Sequence, residues 1–410
     1  MIALKLREPF RFAYGTFYEL PRILVRLDVE SSDDSVVGWG EAAIDFPFVP
    51  YDAFDTFDAL SKVCSQLAGV SLTNRDEILF SIFSATLDVA PASRCALNMA
   101  LDDALGRARK LPVQALYGVK RAQSLALHSV GFGESDCPST WRTLNGIIKI
   151  KVGQGLIEDA RTIKRAEELS LETAKLYALD FNAAYTTQQA LELIRRLEME
   201  GRWPSPSCVM WEQPVRSDTP LEEWALIAEN FNSARGGPLL AADESFTSDA
   251  AGVALSTLGV ALNFKIQKLG GLISALRIES GVKRSRDTFS SFIGGTFPSP
   301  LGRAYDKVAA KVLASACMPG DGYLPASTYL NERVLGAFVE TAGDNGLGIT
   351  PDEDMLRLST INDPVEEFTR IRSDMTPLQI KMDVGPSYAE RYKSLTNRDV
   401  FWNLQKLAEV

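Results

Sequence analysis

The chain has 410 residues, 53 acidic against 43 basic, a net charge of −10 and a single histidine. That balance argues against nucleic acid or an anionic membrane as partner, and a single histidine excludes zinc sites built from several histidines and nearly excludes His-based triads. The length exceeds one small core, so two domains, or a barrel with a cap, are expected. No stretch reaches the ~20 apolar residues that span a bilayer. The start of the chain carries Lys5, Arg7 and Glu8 without an apolar core, so no secretory signal is apparent. Five cysteines, at 64, 95, 137, 208 and 317, are scattered without metal-binding spacing. They fit free thiols in a reducing cytoplasm.

Residues 1–121 read as an α+β capping unit. Period-two alternation over 22–30, a polar turn at 31–35 and a second alternating run at 36–43 predict a hairpin. Helical patterns come next at about 51–67, 74–87 and 92–109; in the last, Ala96, Met99, Ala100 and Leu105 recur at helical spacing, and Pro112 stops it. From 122 to 330 the texture changes. Short apolar runs at 124–129, 147–152, 175–180, 209–212, 239–243, 261–265 and 289–294 alternate with helical stretches, at a repeat of about 22–32 residues. This is the rhythm of βα units, and it predicts a (β/α) barrel. Residues 331–410 carry mixed patterns broken by glycine and proline, and are expected to return to the capping unit.

Within the second strand candidate, Lys149 and Lys151 stand two apart and share a face. A parallel strand is buried on both faces, so both ammonium groups should be shielded from water. Burial and mutual repulsion would push their pKa values down, towards the range where a general base works best. The next three candidates end in acids: Asp180, Glu212 and Asp243. In a barrel those ends form the active-site mouth. Three carboxylates there would repel one another unless a cation sits between them, and oxygen-only ligands suit a hard ion such as Mg²⁺, with Mn²⁺ as the alternative. The following strand candidate ends in Lys265, across the barrel from Lys151. A carbon acid held between the two lysines would meet a base on either face.

The set Lys149-Ile150-Lys151, Asp180-Phe181-Asn182, Trp211-Glu212-Gln213-Pro214, Ala242-Asp243-Glu244-Ser245 and Asn263-Phe264-Lys265, with Lys268-Leu269-Gly270-Gly271, resembles the enolase superfamily, closest to its muconate-lactonizing-enzyme subgroup. The likeness extends to Gly38-Trp39-Gly40-Glu41-Ala42 and the helix at 96–106. It implies an α+β capping domain closing a modified (β/α)₇β TIM barrel. It also implies Mg²⁺ on Asp180, Glu212 and Asp243, and α-proton abstraction by Lys151 or Lys265. Lys149 would polarise the substrate carboxylate, while Asn182, Lys268 and Asp321 would stand beside the site. Capping loops at 10–18 and 44–51, rich in Phe and Tyr, would close over a substrate with an apolar part.

Two positions depart from the pattern. Where relatives carry a glutamate after the seventh strand, this chain has Pro298 in Gly294-Gly295-Thr296-Phe297-Pro298-Ser299; of an Asp-x-Asp found in dipeptide epimerases, only Asp321 is retained. His128 is placed at the end of the first strand candidate. The resemblance therefore implies a Mg²⁺-dependent isomerase acting on a small carboxylate, in a homo-oligomer. Three reactions are open: racemisation or epimerisation, muconate cycloisomerisation, and dehydration of the o-succinylbenzoate-synthase kind. A relative that has lost its chemistry and serves as a binding protein is the alternative. An acid-sugar dehydratase ranks low, since no histidine occurs after His128.

Overall fold

The computed structural model describes residues 1–12, 15–30, 35–44, 53–69, 82, 90–119, 128–132, 146–233, 236–287, 289–313, 315, 318, 320–323, 325–341 and 345–357. The helical pattern at 74–87 except Ile82, residues 13–14 and 45–51 of the two aromatic segments, Cys137, Cys317 and residues 358–410 lie outside the described residues; the rest of the expected loop at 10–18 is strand, with Phe10 paired to Phe17.

The chain opens with a three-stranded antiparallel sheet of β1 (Ile2–Phe12), β2 (Gly15–Glu30) and β3 (Ser35–Ala43). The expected hairpin is β2–β3, paired in unbroken register from Arg22–Ala43 to Glu30–Ser35. Helix α1 (Ala53–Leu67) comes next, then α2 (Pro91–Ala108), buried along most of its length. Glycine sets the distance between α2 and β3: a Cβ at Gly40 would lie 1.9 Å from the Ala96 carbonyl oxygen, and one at Gly38 2.2 Å from that of Ala100. Only a strand without side chains at these two points can lie so close to the helix backbone.

Seven parallel strands then run in sequential order: β4 (His128–Phe132), β5 (Ile147–Lys151), β6 (Tyr177–Asp180), β7 (Cys208–Glu212), β8 (Leu239–Ala242), β9 (Ala261–Asn263) and β10 (Ser291–Phe292). Between them lie α3 (Leu156–Thr173), α4 (Thr187–Met199), α5 (Leu221–Ser233), α6 (Asp249–Thr257), the short α7 (Ile266–Leu269) and α8 (Leu272–Ser285), and α9 (Pro300–Val312) comes after the last strand. The segment after α9 lies along β10, with Ser291 N donating to Ser315 O at 3.2 Å and Met318 N to Ser291 O at 3.1 Å. Met318 completes an inner core with Ala178, Met210, Ala241, Ala261 and Phe292. The alternate strand residues, Ile148 and Ile150 among them, face the helices in the outer core. The sheet is curled as the modified barrel requires.

Residues 329–341 and 345–347 run back along the first sheet and α2. Arg7 N donates to Tyr329 O at 2.8 Å, Asn331 N to Lys5 O at 3.0 Å, and Leu347 N to Asp103 Oδ1 at 2.8 Å. One expectation is corrected. His128 is the first residue of β4 and pairs with Ile147 at the start of β5, so it lies at the end of the barrel opposite the mouth. A strand placed a few residues too early in the sequence moves a residue from one end of the barrel to the other.

Candidate active site

Strand register places the chemistry. Lys151 pairs with Asp180, and Asp180 with Glu212, so three charged residues stand level at the C-terminal ends of β5, β6 and β7. Asp243 comes directly after the last residue of β8, and Lys265 leads into α7 two residues after β9. Lys149 sits one alternation deeper in β5 and is 1% exposed.

The site is a lattice of ion pairs. Lys149 Nζ lies 2.7 Å from Glu212 Oε2, 2.9 Å from Asp180 Oδ2 and 3.2 Å from Asp321 Oδ2. Lys151 Nζ reaches the same Asp180 oxygen at 2.6 Å and donates to Asn182 Oδ1 at 2.9 Å. Asp243 is gripped by Lys265 at 2.6 Å on Oδ2 and by Lys268 at 2.7 Å on Oδ1. The structure thus brings Lys149, Lys151, Asp180, Asn182, Glu212 and Asp321 into one set of contacts and Lys265, Lys268 and Asp243 into another. Asp321 engages Lys149 through Oδ2 and Gly295 N through Oδ1, the latter at 2.8 Å.

The expectation of a lowered pKa is overturned for Lys149. Burial, the largest influence on Lys149, pulls its pKa down, but Asp180, Asp321 and Glu212 outweigh it and hold it well above the ordinary amine value. Lys265 obeys the same balance: burial lowers its pKa, while Asp243, Glu244, Asp321 and Glu212 raise it further. Spacing along one strand predicts the repulsion between lysines; it does not show how many carboxylates the fold brings against them. The acids divide. Burial works against the ionised form of Asp180 and Asp243, yet their lysine partners hold both below the usual carboxylate range. Glu212 goes the other way: burial pushes it up to about 8 against the pull of Lys149, with the charges of Asp180, Asp243 and Asp321 adding to the rise.

Among the described residues, no group of three or more His, Cys, Asp or Glu side chains is gathered as a ready-made metal cage, because lysine ammoniums reach between the acids. The donor set nevertheless suits a hard divalent ion. It offers three carboxylates from adjacent strands and no nitrogen or sulfur donor.

Several functional side chains left no signal in the spacing. Gln213, fully buried at φ +41°, takes Asp243 N at 2.9 Å and Ser245 N at 3.1 Å on its Oε1, and donates to Val215 O and Ser245 Oγ, each at 2.7 Å. One amide therefore fixes where the Asp243 backbone stands. Asn263 Nδ2 donates to Glu212 Oε1 at 2.8 Å, fixing that carboxylate from the neighbouring core. Glu244 Oε2 is buried without a hydrogen-bond partner. Burial pushes its carboxyl up to about 7, and Asp243 adds to the rise. Where Pro298 replaces the usual acid, its carbonyl accepts from Tyr329 Oη at 2.6 Å, and Arg303 donates to that hydroxyl at 3.1 Å and to Asp321 O at 3.2 Å. A buried guanidinium thus stands beside the altered loop. A glutamine or asparagine just beyond an apolar strand is the one trace that could have pointed to Gln213.

A curled parallel barrel under an α+β cap, with lysines and carboxylates facing one another at the C-terminal ends of its strands, defines a class of enzyme scaffold. Residues 2–118 match the family described as "Mandelate racemase / muconate lactonizing enzyme, N-terminal domain". The chain is 26% identical over 317 residues to the L-Ala-D/L-amino acid epimerase of Populus trichocarpa, covering 73% of this chain and 70% of that protein. It is 29% identical over 277 residues to an aromatic dipeptide epimerase of Herpetosiphon aurantiacus, covering 66% and 73%. The solved dipeptide epimerase of Enterococcus faecalis, complexed with Mg and the dipeptide L-Leu-L-Tyr, superposes with a TM-score of 0.72 at 22% identity, over 85% of this chain and 97% of that one. Residues 2–118 thus match that N-terminal domain, and the chain as a whole is similar to epimerases of dipeptides and amino acids. Among the described residues no helix is long and apolar enough to cross a membrane.

Proposed function

We propose that the chain is a racemase or epimerase that removes the proton α to a carboxylate of an amino-acid derivative and returns one to the opposite face. The observation that carries this reading is the placement of Lys151 on β5 and Lys265 beyond β9, with the three acid-bearing strands between them. Curling the sheet turns those two amines towards each other across the mouth. A substrate held between them presents one face of its α-carbon to each, so one lysine takes the proton and the other delivers one. Lys149, deeper and fully enclosed, supplies fixed positive charge for the substrate carboxylate. Asn182 holds Lys151 in place, and Lys268 holds Asp243.

Asp180, Glu212 and Asp243 would hold Mg²⁺, which when bound supplies the positive charge that frees the lysines from these acids and opposes the charge building on the substrate carboxylate. The likeness to epimerases of dipeptides, one of them complexed with Mg, supports both points. The full engagement of Asp321 by Lys149 and Gly295 favours a substrate whose nitrogen is acylated over one that presents a free ammonium to that residue.

The test is α-proton exchange in D₂O with Mg²⁺, monitored by NMR over dipeptides, N-acylamino acids and muconates. Lys151→Ala and Lys265→Ala should each abolish racemisation yet retain exchange from opposite stereoisomers. A variant that still racemises at the wild-type rate refutes the two-base scheme. A catalytically silent binding protein would exchange nothing.

A further inference from the structure

Among the described residues β3 is the outer strand of its sheet, so one of its edges has no neighbouring strand. Buried backbone groups on such an edge still need partners. Side chains from other elements provide them. Asp103 Oδ2 accepts from Trp39 N at 2.9 Å. Further along, Gln267 Oε1 accepts from Ala43 N at 3.1 Å while its Nε2 donates to Glu41 O at 2.9 Å. A donor and an acceptor two residues apart on one edge are matched by the two ends of a single amide, as a neighbouring strand would match them. Gln267 is 3% exposed, so both bonds form away from water.

Gln267 shares its turn with Lys265, the N-cap of α7, and with Lys268. Four residues make too short a helix to hold itself rigid, so tertiary ties decide where the turn stands. The two lysines tie it to Asp243; Gln267 ties it to the capping sheet. Lys151, by contrast, sits within β5 and is held by Asp180 and Asn182.

We propose that Gln267 is a positioning residue for Lys265: the edge of the capping sheet, acting through one side-chain amide, aims one of the two bases and leaves the other untouched. The proposal rests on the two-base reading above. It makes a prediction that a general role in stability does not, because loosening Gln267 should affect one face of the substrate only.

The experiment measures α-deuterium uptake in D₂O with Mg²⁺, starting separately from L-Ala-L-Phe and L-Ala-D-Phe, and from N-succinyl-L- and N-succinyl-D-phenylalanine. Gln267→Met has similar length and makes neither bond; Gln267→Glu keeps the acceptor for Ala43 N alone. Asp103→Asn loosens the same edge away from Lys265 and serves as the control. For Gln267→Met, kcat for uptake from one stereoisomer should fall about 10–100-fold with KM little changed. The isomer affected should be the one that Lys265→Ala silences, and uptake from the other should stay near wild type. Gln267→Glu should fall between, keeping the test alive if the methionine variant folds poorly. Asp103→Asn should move both isomers equally. Equal slowing of both isomers by the Gln267 variants, or selective loss of the isomer served by Lys151, overturns the proposal. Wild-type protein that exchanges neither isomer of either probe overturns the two-base reading, and the proposal with it.

Discussion

Replacing Lys149 by methionine tests whether the ion-pair lattice holds the barrel mouth together. The residue is 1% exposed, and its ammonium lies within 2.7–3.2 Å of Glu212, Asp180 and Asp321. Methionine fills most of the space but leaves these acids with less compensating charge. Removing one member of a buried pair costs about 3–5 kcal/mol, because the surviving charge stays buried. With an unfolding entropy of roughly 2.1 cal/mol/K per residue over 410 residues, that loss lowers the melting midpoint by about 4–6 °C. Thermal melts at neutral pH measure it, with Lys164→Met, at an exposed position on α3, as the control. Added Mg²⁺ should recover more stability in Lys149→Met than in wild type, since the acids in the variant lack their amine. A Lys149→Met midpoint within about 1 °C of the control would refute the charge accounting.

Two more perturbations probe the metal ligands and the sheet–helix contact. Mg²⁺ at a hundred times its dissociation constant should stabilise wild type by about 2.7 kcal/mol; Asp180→Ala should lose that response in the same melt, and an undiminished response would remove Asp180 from the metal site. Gly40→Ala places a methyl 1.9 Å from the Ala96 carbonyl oxygen, which neither backbone can accommodate without moving. It should cost far more stability than the loss of about 1 kcal/mol typical of point changes, measured by urea unfolding, and a neutral effect would show that β3 and α2 are not in close contact.

The acids and the two outer lysines were legible because they obey local rules. Lys149 and Lys151 lie two apart on a strand, and Asp180, Glu212 and Asp243 fall at the beat of the βα repeat, so register alone brings them to one end. What was hidden depends on approach in space. Asp321, 172 residues away, adds to the raised pKa of Lys149, and no pattern near Lys149 announces it. Gln267 bonds to backbone groups of β3, 224 and 226 residues distant. An amide that serves a backbone leaves no periodic trace, and any glutamine on the surface reads the same. Pro298 was visible as a lost acid, but its replacement by a hydroxyl from Tyr329 and a guanidinium from Arg303 came from two other segments. His128 failed for a simpler reason: an apolar run does not mark the residue at which a strand begins.

The period-two placement of Lys149 and Lys151 has a consequence for how such a site can change. Ile148 and Ile150 interleave with the amines and belong to the layer beneath the helices. Deleting one residue near the start of β5 would slip its register by a single step. Isoleucines would then point into the acid-lined throat while two ammoniums pressed against an oily helix layer. Natural drift in this barrel can swap side chains one at a time, but it can scarcely alter the length of that strand, so variation in specificity has to be written in loops.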